Sequence, residues 1–193
     1  NVIKGFLNIP VAQVYWLSIL REDLQEETYG MKTTQDDPHK VMIEYSSPNT
    51  NKPLHLGHIR NNLLGFSIAR IMEAAGNEVK KVNLVNDRGI HICKSMVAWT
   101  RFGNGETPES GNLKGDHLVG KYYVAYDQAY KKDVAELTHR GLETEQAAEQ
   151  APVLQEAREL LRKWEANDPE VRDLWEKMNQ WVYDGFDVTY KRL

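Results

Sequence analysis

The stretch that decides the fold is Lys40-Val-Met-Ile-Glu-Tyr-Ser-Ser-Pro-Asn-Thr-Asn-Lys-Pro-Leu-His-Leu-Gly-His58. Its apolar run up to Ser46 predicts a buried strand, and the two prolines and polar turn formers that follow predict a loop. Apolar residues then recur at helical spacing from Leu56 to Ala75, and Gly76 is placed to end that helix. The stretch therefore predicts a strand that passes through a loop into the N-terminus of a helix.

The same order of strand, loop and helix is predicted a second time further along the chain. Glu78 to Val85 predicts a second strand, Asn86-Asp-Arg-Gly89 predicts a turn, and Ile90 to Arg101 predicts a helix. Strand, helix, strand and helix within about 60 residues is typical of a βαβ crossover, which joins parallel strands. We therefore expect an α/β fold built on a parallel sheet.

The segment before this centre has a different pattern. Val2 to Ile9 predicts a short strand closed by Pro10, and Val11 to Tyr29 predicts a helix that ends at Gly30. A polar link from Gln35 to Pro38 then leads into the α/β region. We expect this segment to precede the α/β domain as a separate element.

The segment after the centre is predicted to be helical. Gly103 to Gly115 holds four glycines and one proline, which indicates a mobile surface loop. Asp116 to Leu193 has a helical pattern with breaks at Gly141 and at Asn167-Asp-Pro169. Asp168 suits the N-cap of the last helix, with Pro169 in its first turn.

Composition excludes several classes of protein. The chain has 193 residues, 41% of them hydrophobic and 27% charged, which is unlike a disordered or collagen-like sequence. Lys and Arg number 24 against 28 Asp and Glu, so the protein does not coat nucleic acid by charge alone. Cys93 is the single cysteine, which excludes an internal disulfide and fits a reducing, cytoplasmic setting. No apolar run approaches the roughly 18 residues that a membrane span requires.

The residues at the predicted strand-to-helix junction suit phosphate chemistry. Ligands of open α/β sheets collect at the carboxyl ends of the strands, where helix N-termini offer free N–H groups. His55 and His58 lie in the first turn of the predicted helix, and imidazoles there can donate hydrogen bonds to phosphate oxygens. Gly57 between them lets a flat base or a phosphate approach the backbone, and Lys52 supplies a cation.

These motifs resemble a known enzyme family. His55-Leu-Gly-His58 resembles the "HIGH" element of the class I aminoacyl-tRNA synthetases. Together with Ser47-Pro-Asn49 and Lys52 upstream, it resembles the arginyl-tRNA synthetases specifically. The late helical segment around Trp164 to Arg172 is similar to the insertion of that family's catalytic domain. The turn Asn86-Asp-Arg-Gly-Ile-His91 departs from the family's Gly-Asp-Trp-Gly-Thr-Gln-like sequence, so the resemblance assigns no role to Asp87, Arg88 or His91.

The resemblance implies a fold and a division into domains. It implies a partial Rossmann-like (HUP-type) parallel sheet with a mainly helical insertion. Residues 1–37 would be the end of an N-terminal additional domain and a linker helix. Residues 38–102 would be the first half of the catalytic domain, and residues 103–193 the mobile loop and the helical insertion. On this interpretation the chain is a fragment that cannot aminoacylate alone, because the second nucleotide motif and the anticodon-binding domain would follow Leu193.

The resemblance also implies a reaction and its participants. Arginine would be activated by ATP, with Mg²⁺ as the nucleotide's counterion, and then transferred to tRNA(Arg) in the cytoplasm. No protein-bound metal and no membrane partner are expected. By family analogy His55, Gly57 and His58 would bind ATP, with both histidines and Lys52 as the catalytic group. Ser47 and Asn49 would bind the main-chain groups of arginine.

Three alternative functions remain open at this stage. His55 and His58 have the spacing of metal ligands, and His91 and Cys93 could complete a zinc site. The same strand-loop-helix turn occurs in other nucleotidyltransferases that transfer adenylyl groups to small acids. A third reading is a freestanding synthetase-like module that binds nucleotide or tRNA without ligase activity.

Several residues also have a purely structural interpretation. We interpret Cys93 as a small, buried hydrophobic residue. Tyr122, Tyr126 and Tyr130 are spaced four residues apart, which favours a packed helix face over stacking on tRNA bases. Asp87 could cap the following helix or contact a ligand. Half of a parallel sheet leaves apolar faces uncovered, so we expect self-association through them.

Overall fold

The structure is a computed structural model that describes residues 2–7, 9–32 and 37–193, with the backbone alone for residues 2 and 3. Gln35 and Asp36 of the predicted polar link therefore lie outside the described residues. The described chain divides into two units. The first comprises the residues up to Ile43 with Ser67–Lys81, and the second comprises Glu44–Phe66 with Val82–Leu193.

The first unit begins with a small hairpin. Strands β1 (Val2–Ile3) and β2 (Phe6–Leu7) pair antiparallel. The prediction of one strand over this segment was wrong, because Lys4 and Gly5 both have positive φ, 52° and 87°. Two consecutive positive φ angles form the turn that matches the twist of paired strands, so the chain reverses here.

Helix α1 (Gln13–Asp23) follows the hairpin and is shorter than predicted. The expected helix over Val11 to Tyr29 stops at Asp23, and turns lead from there to Gly30, whose φ is 77°. Helix length depends mainly on packing an apolar face, and α1 has no buried residue. Packing therefore does not extend the helix into the acidic segment after Asp23.

The predicted βαβ crossover is confirmed. Strand β3 (Lys40–Glu44) is joined to strand β4 (Glu78–Val82) by helix α2 (Leu56–Ala74), and the two strands form a two-stranded sheet. The ladder runs in parallel register, from the Glu78 N–H to the His39 carbonyl (3.0 Å) up to the Tyr45 N–H to the Val82 carbonyl (3.2 Å). Gly76, with φ 83°, ends the helix as predicted: its N–H and that of Asn77 bond back to carbonyls of the last turn.

The sheet and α2 keep apolar side chains exposed. Strand β3 was predicted to be buried, but alternate residues are exposed and Met42 is 70% accessible. The reason is that a two-stranded sheet buries a strand only where another element packs against it. Helix α2 likewise exposes half or more of Leu63, Leu64, Phe66, Ile68 and Ile71. Self-association through these faces stays a prediction.

Besides the first part of α2, the second unit contains five helices, and most of its core lies between these five. They are α3 (Ile90–Phe102), α4 (Gly115–His139), α5 (Thr144–Gln150), α6 (Pro152–Glu165) and α7 (Pro169–Tyr190). Two apolar clusters fill the core, one around Met96, Met178 and Val182 and the other around Leu118, Tyr122 and Tyr126. Tyr122 and Tyr126 are 4% and 3% exposed, which confirms their packed role.

The helix breaks were predicted with one omission. Gly141, with φ 95°, follows α4, and the Asp168 carboxylate accepts the Val171 N–H at 3.1 Å as the predicted N-cap of α7. The break between α5 and α6 was not predicted. There the helix restarts at Pro152, and the N–H of Val153 bonds to the Asp133 carboxylate at 2.9 Å on another helix.

The segment between α3 and α4 consists of turns. Its main contact is Glu106, whose carbonyl accepts the Trp99 indole N–H at 2.8 Å and whose carboxylate pairs with Lys121 at 2.7 Å and bonds the Tyr122 hydroxyl. Among the helices in the described part of the chain, none combines the length and apolar character that crossing a bilayer demands.

Candidate active site

The loop after β3 is held in an unusual conformation. Ser46 and Ser47 both have positive φ, 69° and 41°, which residues other than glycine seldom adopt. The Ser47 hydroxyl donates to the Glu44 carboxylate at 2.6 Å, and the Ser47 N–H donates to the Asn83 side-chain carbonyl at 3.0 Å. The Ser46 hydroxyl bonds the Tyr190 hydroxyl at 2.5 Å. These contacts hold the chain in a sharp turn that delivers Asn49 to the carboxyl ends of the strands.

Asn49 is joined directly to the turn after β4. It forms a parallel bridge with Asn86, whose side-chain NH₂ donates to the Asn49 Oδ1 at 2.8 Å. The Asn86 N–H also bonds the Pro48 carbonyl at 3.0 Å, and the Thr50 N–H bonds the Asn86 carbonyl at 3.2 Å. The bond from Asn86 identifies the Oδ1 atom of Asn49 and therefore also the position of its NH₂ group. That NH₂ group is a donor and can bond a carboxylate.

His55 and His58 form one unit at the N-terminus of α2. Their ring centroids are 4.1 Å apart. The Nδ1 of His58 accepts the backbone N–H of His55, and the Nδ1 of His55 accepts the backbone N–H of Gly57, both at 3.1 Å. A neutral imidazole whose Nδ1 is an acceptor carries its proton on Nε2. The pair therefore has two Nε2–H donors beside the helix N-terminus, which suits a phosphate.

The surroundings keep His58 neutral. Desolvation, then the neighbouring His55, then Lys52 lower the pKa of His58 below its usual value. Protonation of Nδ1 would also break the hydrogen bond from the His55 backbone. His58 is consequently a neutral donor at physiological pH rather than a second fixed cation.

A third histidine, His91, is influenced by the same lysine as His58. The pKa of His91 is lowered by desolvation, by Lys94 and by Lys52, so Lys52 acts on both His58 and His91. The Nδ1 of His91 lies 3.2 Å from the Tyr123 hydroxyl on α4. Lys52, predicted from the sequence, therefore lies close enough to both imidazoles to lower their pKa values.

The turn from Asn86 to Gly89 is fixed from α7. The Tyr183 hydroxyl donates to the Asp87 carboxylate at 2.6 Å, and the Trp175 indole N–H donates to the Asp87 carbonyl at 2.7 Å. The N-cap of α3 is Gly89, and no side chain caps that helix, so the capping role considered for Asp87 was wrong. Gly89 has φ 110° and ψ −173°, a region that side chains other than hydrogen hardly enter.

Arg88 contacts the end of α6. Its guanidinium pairs with Glu165 at 3.1 Å and lies 5.4 Å from the centroid of the Trp164 ring. Arg88 therefore ties the turn to the end of α6.

Cys93 behaves as the predicted buried hydrophobe. It is 1% exposed, and burial raises the pKa of its thiol to about 11. A buried thiol of that pKa is a poor metal ligand, since the thiolate is the ligand. In the ranges 2–7, 9–32 and 37–193, no group of three or more His, Cys, Asp or Glu side chains is arranged to hold a metal ion.

Three contributors to the site were not predicted. Glu44 is exposed at the last position of β3, where its place at a strand end was a usable signal. Tyr183 and Tyr190 carry no local signal, since they bond residues 96 and 144 positions earlier in the chain. The roles of Ser47, Asn49, Lys52, His55, Gly57 and His58 stay predictions. The structure shows two sets of contacts among them: Ser47 and Asn49 bond the segment after β4, and His55 and His58 form a pair around Gly57.

Comparison with known proteins identifies the family. Residues 19–193 match the family described as "tRNA synthetases class I (R), catalytic domain". The chain therefore belongs to the class I tRNA synthetases of this type. The match includes the strand-to-helix junction, the turn after β4 and all five helices of the second unit.

Individual relatives agree with this assignment. The arginine–tRNA ligase of Bacteroides thetaiotaomicron is 62% identical over 194 residues, and that of Bacteroides fragilis is 60% identical over 193 residues. Each alignment covers 100% of this chain and 32% of the relative, so the chain spans about a third of the length of these curated relatives.

Solved structures confirm the partial Rossmann-like α/β fold with its helical insertion. The arginyl-tRNA synthetase of Thermus thermophilus superposes with a TM-score of 0.54 at 29% identity, over 86% of this chain and 24% of the other. That of Plasmodium falciparum gives 0.56 at 21% identity, over 97% and 29%, and supports the fold alone.

Proposed function

We propose that this protein activates arginine with ATP and transfers the arginyl group to tRNA(Arg). The observation that carries the proposal is the histidine pair at the start of α2, with both Nδ1 atoms bonded to backbone N–H groups and both protons on Nε2. Relatives at 60% and 62% identity that are arginine–tRNA ligases support the substrate.

The chemistry follows from this geometry. The carboxylate of arginine attacks the α-phosphate of ATP in line, a phosphorus–oxygen bond to pyrophosphate breaks, and arginyl adenylate forms. Negative charge builds on the phosphate oxygens, and the Nε2–H groups of His55 and His58 stabilise it together with Lys52. Gly57, without a side chain, leaves room for the nucleotide.

The loop after β3 supplies the contacts for the amino acid. Asn49 offers its side-chain NH₂ to the arginine carboxylate, and Ser47 holds the loop beside it. Glu44 is the carboxylate at the end of β3, bonded to Ser47 at 2.6 Å, and its charge complements a cationic amino acid. The transfer step then passes the arginyl group from adenylate to a ribose hydroxyl of tRNA, with release of AMP.

Mg²⁺ belongs to this proposal as part of the nucleotide substrate. Mg²⁺ prefers carboxylate, phosphate and water oxygens, whereas the groups around the histidine pair are imidazoles and lysines. These residues fit triphosphate oxygens and do not fit a resident Mg²⁺. The ion accordingly arrives bound to ATP and neutralises part of the charge that these residues contact.

The domain division also enters as a proposal. Residues 1–37 would end an N-terminal additional domain, residues 38–102 would form the first half of the catalytic domain, and residues 103–193 would form its insertion. The cytoplasm is the compartment in which this tRNA reaction takes place, and one unpaired cysteine is compatible with its reducing conditions.

The test is ATP–pyrophosphate exchange by the natural protein in its full length, with arginine and tRNA present. We expect exchange that depends on arginine, and a fall of about 100-fold in His55→Ala and His58→Ala. His139→Ala, an exposed histidine at the end of α4, is the matched control and should keep full activity. Exchange with another amino acid in place of arginine, or unchanged rates in both variants, would show the proposal to be wrong.

A second measurement uses the 193-residue chain by itself. We expect no arginine- and tRNA-dependent exchange from it, because it spans only about a third of the length of its arginine–tRNA ligase relatives. Measurable exchange by this chain would contradict that expectation.

A further inference from the structure

Helix α7 reaches both loops of the candidate active site through side-chain hydrogen bonds. The Tyr190 hydroxyl bonds the Ser46 hydroxyl at 2.5 Å, in the loop after β3. The Tyr183 hydroxyl donates to the Asp87 carboxylate at 2.6 Å, in the turn after β4. The Trp175 indole N–H adds a bond of 2.7 Å to the Asp87 carbonyl. One helix therefore contacts both segments that bring the predicted substrate-binding residues together.

The helix is a rigid support for these bonds. Tyr183 and Tyr190 are seven residues apart, which is two turns or about 10 Å along one face of a helix. Met178, Val182 and Phe186 of α7 are 0%, 0% and 3% exposed in the core, and the Tyr190 ring packs against the Phe186 ring with centroids 6.3 Å apart. Because these apolar side chains fix the helix, the two hydroxyl groups occupy fixed positions beside the loops.

The loop after β3 needs such support. Ser46 and Ser47 have φ of 69° and 41°. Backbone in these regions is strained for most residues and persists only when surrounding contacts hold it. The hydroxyl of Tyr190 bonds the first strained serine directly, and that of Tyr183 bonds the turn two residues before Gly89.

The two supports converge on Asn49. Ser46 lies three residues before Asn49, and Asp87 follows Asn86, whose NH₂ donates to the Asn49 Oδ1 at 2.8 Å. A shift of either loop therefore moves Asn49 or its bonded partner. Burial and the adjacent Asp87 carboxylate raise the pKa of Tyr183, so its hydroxyl keeps its proton and remains a donor.

We infer that Tyr183 and Tyr190 are positioning residues through which α7 sets the place of Asn49 and thereby the affinity for the amino-acid substrate. Neither tyrosine touches the reacting atoms. Each acts through the loop it bonds. The kinetic part of this inference rests on the proposed function, whereas the structural part concerns the loops alone.

The experiment compares Tyr183→Phe, Tyr190→Phe and the double variant with the unmodified protein in its full length. Each substitution removes one hydroxyl and keeps the ring, so the core of α7 is preserved. Tyr130→Phe is the matched control, since the Tyr130 hydroxyl bonds only within the helical region, to the Ala148 carbonyl at 3.2 Å. Two readouts are measured: backbone amide hydrogen exchange, and the KM values for arginine and ATP in pyrophosphate exchange.

The hydrogen-exchange readout does not depend on the substrate. The protected amides are those of Ser47, Thr50, Leu84 and Asn86, which bond within the two loops. We expect Tyr190→Phe and Tyr183→Phe to accelerate exchange at these amides about fivefold, the effect of losing one hydrogen bond of ordinary strength. Peptides from α4 and α6 should be unchanged, and Tyr130→Phe should leave the loops as they are.

The kinetic readout separates positioning from general damage. We expect the KM for arginine to rise about fivefold in each single variant and further in the double variant, with the KM for ATP unchanged because the histidine pair is not displaced. Unchanged loop exchange, or faster exchange spread over the whole second unit, would overturn the inference. If the unmodified protein shows no arginine dependence, the proposed function fails, and hydrogen exchange alone then decides whether the tyrosines position the loops.

Discussion

Replacement of Gly57 by alanine should lower activity about tenfold without harming the fold. Gly57 is the second residue of α2, between the two histidines, and it is exposed. A Cβ atom at this position would lie 2.9 Å from Cε1 and 3.0 Å from Nδ1 of the His55 ring. The closest ordinary contact is 3.4 Å, so the ring must move by about 0.5 Å or the helix start must shift.

The size of the effect follows from that displacement. A misplacement of 1 Å at a reacting group costs about 100-fold in rate, so about 0.5 Å should cost about tenfold, equal to about 1.4 kcal/mol of transition-state stabilisation. Stability should change in the opposite direction. Alanine in place of glycine at an ordinary helical φ stabilises a fold by about 0.5 kcal/mol, because the unfolded chain loses freedom.

The assay pairs two measurements on the same full-length variant. Arginine-dependent pyrophosphate exchange should fall about tenfold in kcat/KM, while urea unfolding shows an unchanged or slightly raised midpoint. Asn61→Ala, an exposed position on the same helix, is the control and should leave both unchanged. The reasoning is refuted if Gly57→Ala stays within a factor of about two of the unmodified kcat/KM, since the ring would then have adjusted without consequence.

Four further predictions follow from the structure. Cys93 should react with a thiol reagent at least about 100-fold more slowly than an ordinary cysteine and at a normal rate in urea, because burial raises its pKa from 9.0 to about 11; fast labelling of the native protein would contradict this. The pKa of His58, followed by NMR, should lie below its usual value and rise in His55→Ala, because His55 is the second cause of the shift after desolvation; no rise would leave only burial and Lys52 as its causes and contradict this. Gly89→Ala should lower the free energy of unfolding by about 2 kcal/mol and Gly105→Ala by about 1 kcal/mol. An added Cβ atom would meet no other atom within 4 Å at either position, but only Gly89 combines φ 110° with an extended ψ. Equal losses of stability in chemical denaturation would count against this. The 193-residue chain by itself should self-associate through the exposed apolar face of α2, and a single monomer boundary in sedimentation would contradict that.

Local sequence signals were sufficient for the centre of the fold. An apolar run, a proline-containing loop and helical spacing predicted β3, α2, β4 and α3 in order, because each signal acts over a few residues. The N-cap Asp168 and the stop at Gly76 were predicted for the same reason. The histidine pair was recognisable because its chemistry depends on neighbours within one helical turn.

Other elements depended on contacts that local patterns do not contain. The hairpin at Lys4 and Gly5 was missed because lysine rarely takes positive φ, and the break at Pro152 because its stabilising partner, Asp133, lies on α4. The length of α1 was overestimated because an apolar pattern indicates a face without showing that anything packs against it. Burial of β3 was overestimated for the same reason.

The sequence by itself determined the order of β3, α2, β4 and α3, the family and the residues that meet at the start of α2. Those properties follow from short-range backbone preferences and from motifs contained in a few adjacent residues. Only the tertiary structure showed that Asp87 accepts the Tyr183 hydroxyl rather than capping α3, and that Tyr190 holds Ser46. These partners are 96 and 144 residues apart, and they meet only because packing of α7 against the core places both hydroxyl groups at the strand ends.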